Sequence, residues 1–249
     1  MSLPVIDTPT FKMSLMSVKE PISYRPFLVK EEKLLLMAME GGEEKDIIDT
    51  TKQIINNCIL SENVNAEDLP LFDLQMALLK IRSKSVGDKL ELMLKHPEEK
   101  NSNGESCDNA SRLNILLSDI KINVDDDHTK QIKLTDTIAI EMKYPTMDAY
   151  YRLVEIENSS ANASAVEELF SVVIDCIDNI YSGEETFNAS DYTKEDMDNF
   201  ISSLTSDQFE KLKAFFHTMP ALIHDVEWTC SKCKCKEKQT LNGIGDFFL

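Results

Sequence analysis

At Asp88 the spacing of apolar side chains changes from about 3.6 residues to two, and that switch decides the fold class. Upstream, Ile47, Ile48, Thr51, Ile54, Ile55, Cys58 and Ile59 recur on one helical face. Leu28, Leu35, Leu36 and Met39 share another, stopped by Gly41–Gly42. A third helix is expected through Leu71, Phe72, Leu74, Leu78, Leu79 and Ile81, with Asp68 as its N-cap ahead of Pro70 and Gly87 as its end. Its apolar residues wrap most of the circumference, which marks it as central. Downstream, Leu90, Leu92 and Leu94 alternate with Lys89, Glu91, Met93 and Lys95, and the same period runs through Leu113–Leu117, Ile120–Val124, Ile132–Leu134 and Ile138–Met142.

A helical period returns beyond a Ser/Asn linker at 158–163. Val166, Leu169, Phe170, Val173, Ile174, Ile177 and Tyr181 form one stripe. Thr193 and Asp196 open a second helix through Leu204, and Ser206 caps a third that stops before Pro220. A strand, ALIHDVEWTC, leads into a cysteine turn and an apolar tail. The expected class is α+β: a helical bundle with an inserted small antiparallel sheet and a C-terminal cysteine-knuckle tail. The expected divisions are an N-terminal arm or hairpin at 1–27 with Glu20–Pro21 at its turn, helices over 28–87, sheet over 88–157, helices over 158–220, and strand, knuckle and tail over 221–249. Together they make one or two compact domains. The polar stretch HPEEKNSNGESCDNAS between the first two sheet strands is expected to be mobile.

Charge narrows the function. The chain of 249 residues carries 44 acidic and 26 basic side chains, a net charge of −18. Nucleic acid and anionic membranes are bound through basic surfaces, so neither is an expected partner, and proteins are. No uncharged apolar run is long enough to span a bilayer. The segment MSLPVIDTPTFKM has neither a basic nor an apolar signal region, so a cytosolic location is expected.

Enzymatic patterns are missing from the sequence. There is no glycine-rich phosphate loop and no G-x-S-x-G elbow. Asp125, Asp126, Asp127 and His128 lack calcium-loop spacing and read as a solvated turn. A non-enzymatic protein is expected, with a hydrolase of dispersed catalytic residues as the remote alternative. The one chemical signal is WTCSKCKCKEKQTL: C-x-x-C in a turn after a strand is half of a zinc ribbon. Cys230 and Cys233 would be two ligands, Cys235 a third, and Cys107 or His96 a fourth. A knuckle of free thiols is the other reading, so the expectation is no cofactor, with structural zinc as the alternative. Cys58 and Cys176 sit in apolar stretches and read as buried thiols.

Three segments together resemble the T4-type bacteriophage baseplate hub assembly proteins. They are YRPFLVKEEKLLLMAME at 24–40, LPLFDLQMALLKIRSKSVGDKLEL at 69–92, and KLTDTIAIEMKYPT at 133–146 paired with the C-x-x-C and the tail at 243–248. The resemblance spans most of the chain, with 96–111 and 164–217 looser. It implies a tail component or helper that binds hub proteins in the host cytoplasm, as an assembly factor or as a hub subunit. It also implies a zinc ribbon whose second cysteine pair follows the first sheet strand, where this chain offers His96 and Cys107 alone.

Partner-binding candidates follow from residue type. Tyr24, Arg25 and Phe27 precede the first helix and are of kinds favoured as interface anchors, unless they pack the hairpin onto that helix. Lys30, Glu31, Glu32 and Lys33 are expected around its exposed side. Phe247 and Phe248 in the tail either dock into a partner or fold back onto the core.

Overall fold

Alternation of buried and exposed residues begins in a short N-terminal hairpin of the computed structural model, which describes residues 7–41, 44–158 and 163–242. Strands β1 (Phe11–Met13) and β2 (Ile22–Tyr24) pair antiparallel, Phe11 opposite Tyr24. Helix α1 (Val29–Gly41) follows, then α2 (Glu44–Cys58), which buries Ile48, Thr51, Ile54, Ile55 and Cys58 as the 3.6-residue spacing requires. Asp68 ends a short 3-10 turn, and α3 (Leu71–Ser85) opens directly after Pro70, so Asp68 lies two positions too early to cap it. Leu74, Ala77, Leu78 and Ile81 of α3 are completely buried, which makes it the central helix. Gly87, at φ 116°, turns the chain out of it, a conformation that favours glycine.

Strands β3 (Lys89–Leu94) and β4 (Ser111–Leu116) form an antiparallel hairpin with Leu92 opposite Leu113. The short β5 (Ile122–Asn123) pairs elsewhere, as described below.

Next come β6 (Gln131–Lys133) and β7 (Ile138–Met142), then α4 (Met147–Asn158) and α5 (Ala163–Asp175). The helix expected to continue through Ile177 and Tyr181 stops at Asp175, and β8 (Ile177–Ser182) begins two residues later. Ile177 and Ile180 of β8 are both buried, three apart, because the pairing with β7 shifts register between Glu141 and Met142. Such a bulge inserts one unpaired residue, so a strand imitates helical spacing. β9 (Glu185–Asn188) returns through Gly183 at φ 61°. The connection has two residues, and glycine at its first position is the pattern of a type II′ turn. These four strands form one antiparallel sheet in the order β6-β7-β8-β9. Helices α6 (Lys194–Ser202) and α7 (Ser206–His217) each begin with a complete capping box, Thr193 with Asp196 and Thr205 with Gln208.

The chain closes with β10 (Ala221–Thr229) and β11 (Lys236–Asn242), in a sheet ordered β11-β10-β5. The class is α+β with small antiparallel sheets. Two units result. One is drawn from 1–68, 72–123 and 221–249, with its core on α2 and α3; the other is drawn from 69–71 and 124–220. In the second unit, Ile140, Met142, Val172, Val173, Ile177, Met197, Leu212 and Phe215 form one buried cluster.

Candidate metal centre

His96 leaves the end of β3 in an extended conformation, and Pro97–Glu99 then forms a tight turn in which Glu98 and Glu99 take φ of 50° and 58°. The stretch from 96 to 111, expected to be mobile, folds into a hairpin with its own hydrogen bonds. Cys107 N–H donates to the Glu99 carbonyl at 2.6 Å, and Asn101 N–H to that of Glu105 at 2.9 Å. Asn101 Oδ1 accepts the N–H groups of Asn103 and Glu105, which supplies the turn with the partners its backbone needs.

The second wall is the knuckle between β10 and β11. Lys234 N–H donates to the Cys230 carbonyl at 3.0 Å, and Cys230 N–H to the Cys235 carbonyl at 2.9 Å. Lys234 sits at φ 62° to close this turn. The two walls are sewn together: Ser231 N–H donates to Ser111 Oγ at 2.9 Å, Ser102 N–H to Glu237 Oε1 at 2.8 Å, and Lys232 Nζ to Asp108 Oδ1 at 2.9 Å.

Between them, one ligand atom each from His96, Cys107, Cys230 and Cys233 lies within 4.8 Å of the other three. Cys107 Sγ is 3.8 Å from Cys230 Sγ, and Cys233 Sγ is 3.4 Å from His96 Nε2. A tetrahedral zinc with Zn–S of about 2.3 Å and Zn–N of about 2.05 Å separates its sulfurs by about 3.8 Å and a sulfur from the nitrogen by about 3.6 Å. His96, Cys107 and Cys230 are buried and Cys233 half-buried. All four residues belong to the first unit.

Electrostatics favour thiolate on the knuckle. Burial pushes the Cys230 thiol up, but the N–H groups of Cys233 and Lys232 and the His96 imidazole outweigh it and hold the group at about 5. The Cys235 N–H pulls Cys233 down as well. The Asn109 N–H pulls on Cys107 in the same sense, but burial and its hydrogen bonds to the other two thiols together outweigh it, and that thiol goes up. His96 Nδ1 lies 3.1 Å from Glu237 Oε1 but at an angle that makes no aligned hydrogen bond, so it is a buried nitrogen facing a carboxylate without engaging it.

The structure brings Cys107 and His96 together with Cys230 and Cys233, and Cys235 has no place in that group. Its thiol accepts from Asn103 Nδ2 at 3.3 Å, and its backbone closes the knuckle. Glu237, outside the motif reading, is legible only once β11 is known to alternate behind His96.

The candidate partner anchors are placed inside. Tyr24 is 2% and Phe27 9% exposed, and the Arg25 side chain 13%. Tyr24 packs against Phe11, and Arg25 Nη2 donates to Glu31 Oε1 at 2.9 Å. Arg25 thus engages α1 through Glu31, whereas Tyr24 OH donates to the Lys80 carbonyl at 3.4 Å and Phe27 N–H to Ser85 Oγ at 2.9 Å, both on α3. Glu31 is fully buried where an exposed carboxylate was expected. Phe247 and Phe248 lie outside the described residues.

The Asp125–His128 turn is likewise structural. Both nitrogens of His128 are engaged, Nδ1 with Thr218 Oγ1 at 3.0 Å and Nε2 with Tyr144 OH at 3.1 Å, and its ring stacks on Tyr144.

Among the described residues, no helix is long and apolar enough to cross a membrane. Neither the curated proteins nor the solved structures contain a match to the chain. A family model described as T4 bacteriophage base plate protein matches residues 8–249. With nearly its whole length inside that match, the chain belongs to the T4 bacteriophage base plate protein family.

Proposed function

We propose that this base plate protein is a hub assembly factor. It binds hub proteins in the host cytoplasm while the centre of the base plate is built, catalyses no chemical step, and is absent from the finished particle. The observation that carries the protein-binding reading is the outer face of α1. Val29, Leu36 and Met37 stand together there at 81%, 60% and 58% exposure. Large apolar residues grouped on one exposed helical face fit a surface that is covered by another protein during part of its life. Transience rests on the resemblance in size and character to the hub assembly catalyst of this group, with the hub subunit as near neighbour.

The non-catalytic reading has its own support. A cavity of about 500 Å³ in the second unit is lined by Ile138, Ile180, Phe187, Met197 and Phe200, with Asp196 its one carboxylate. That carboxylate accepts from Thr193 N–H and Thr193 Oγ1 as a helix cap, at 3.1 and 2.6 Å. The two hydroxyls of the cavity, Ser182 and Tyr192, have no histidine or second acid beside them in that lining, so it holds neither a carboxylate pair nor a nucleophile with its base.

The test is co-expression of the tagged chain with hub proteins, followed by pull-down and by quantification of the chain in purified particles. Capture of a hub protein, with the chain far below hub stoichiometry in particles, is the expected result. Stoichiometric presence in particles would make it a structural subunit of the hub instead.

A further inference from the structure

We propose that His96 Nε2 and the Sγ atoms of Cys107, Cys230 and Cys233 bind one zinc ion, with Glu237 as the positioning residue that orients the imidazole.

Geometry carries the assignment. Four donors from segments more than 120 positions apart converge, 3.8 Å between Cys107 and Cys230 sulfurs and 3.4 Å from the Cys233 sulfur to the His96 nitrogen. Those two distances match edges of a tetrahedron around a zinc-sized ion, and the remaining donor pairs lie within 4.8 Å. Thiols that merely filled a core would pack against carbon and point apart. Three thiolates and one imidazole are a soft donor set that selects zinc over magnesium or calcium. With four protein ligands there is no open position for water, so the ion is structural. A ligand sulfur that is still protonated gives its proton to solvent as it takes the metal, so binding releases protons.

Glu237 completes the arrangement. A ligating histidine commonly donates its other ring N–H to a carboxylate, which fixes the tautomer. His96 Nδ1 already faces Glu237 Oε1 at 3.1 Å, within the distance range of such a bond. The same oxygen is held by Ser102 N–H, so the carboxylate is in place before the metal arrives. The ion then pins the 96–111 hairpin to the β10–β11 knuckle. The chain departs from a four-cysteine ribbon by using histidine at one corner.

The experiment is elemental analysis of the purified full chain, with cobalt(II) exchanged for zinc as a spectroscopic probe. One zinc per chain is expected, and the cobalt form is expected to show the ligand-field bands of a tetrahedral site with three sulfur ligands and one nitrogen. Cys235→Ser should keep the full metal content, and His96→Cys should also keep it while shifting the cobalt spectrum to that of an all-sulfur site. Glu237→Gln should weaken zinc binding roughly 10- to 100-fold. Chain isolated under reducing conditions with zinc in the medium yet metal-free would overturn the proposal. So would loss of zinc in Cys235→Ser, or a Cys107–Cys230 disulfide as the form isolated.

Discussion

Arg25 and Glu31 form a 2.9 Å ion pair in which the carboxylate is completely buried. Glu31 is the third residue of α1, and its other oxygen accepts the Leu28 N–H at 2.8 Å, so one side chain caps the helix and neutralises the arginine behind it. Removing it by Glu31→Ala leaves Arg25 uncompensated in a nearly buried place. The expected cost is about 3–5 kcal/mol, read from the urea midpoint.

Acid should act through the same group. Burial pushes the Glu31 carboxyl up, but Arg25, the Leu28 N–H and Lys30 outweigh it and hold it below the usual carboxylate range. A depressed folded pKa means that the stabilisation is whole above the unfolded value of about 4.3 and is lost as pH falls through the lower folded one. Glu31→Gln should lack this acid-sensitive component, so its stability deficit against the unmodified chain should shrink in that window.

Asp73, buried in the first turn of α3, accepts the N–H groups of Met16 at 2.8 Å and Ser17 at 2.6 Å. Asp73→Ala should cost about 2–3 kcal/mol, since hydrogen bonds to a charged acceptor are the stronger kind. Hydrogen exchange should show Met16 and Ser17 amides losing protection first.

Two thiols should be inert. Burial pushes Cys58 up to about 11 and Cys176 up to about 12. At pH 8 both are protonated and inaccessible, so iodoacetamide should label neither until the chain is unfolded. Peptide mapping by mass spectrometry checks this, and rapid labelling of the folded chain would contradict it.

Gly183→Ala isolates backbone conformation from packing. A Cβ there meets nothing within 4 Å, but the residue sits at φ 61° in the β8–β9 turn. The cost should therefore be about 1–2 kcal/mol from the left-handed conformation alone, measured as a fall in Tm.

Much of this was legible in the sequence, because period and punctuation act locally. The α2 stripe, the central α3, the β3 alternation and the Thr193–Asp196 cap all follow from a few neighbouring residues. Two stretches misled. α4 carries Tyr150, Tyr151 and Val154, aromatic and β-branched residues with weak helix preference, after a run of strands. β8 reads as helix because its bulge separates the buried Ile177 and Ile180 by three. The knuckle cysteines were legible from C-x-x-C spacing, but the choice between Cys235 and the His96–Cys107 hairpin was not. Only the register of β3 with β4 and of β10 with β11 brings that hairpin to the knuckle. Glu31 looked exposed because charge alone does not reveal a buried partner six residues upstream.

The face of α1 links structure to the proposed role. Leu36→Asp with Met37→Asp should leave the fold unchanged, because both residues are more than half exposed. The double variant should fail to retain hub proteins in a pull-down. Undiminished capture would move the docking surface elsewhere.

The central claim, a protein that binds the hub during construction and then leaves, is tested most directly by counting copies. Quantitative mass spectrometry should compare hub complexes captured from infected-cell extract with purified phage particles. The account predicts the chain in stoichiometric amounts in the captured complexes and far below hub stoichiometry in particles. Equal stoichiometry in both, or absence from the captured complexes, would contradict it.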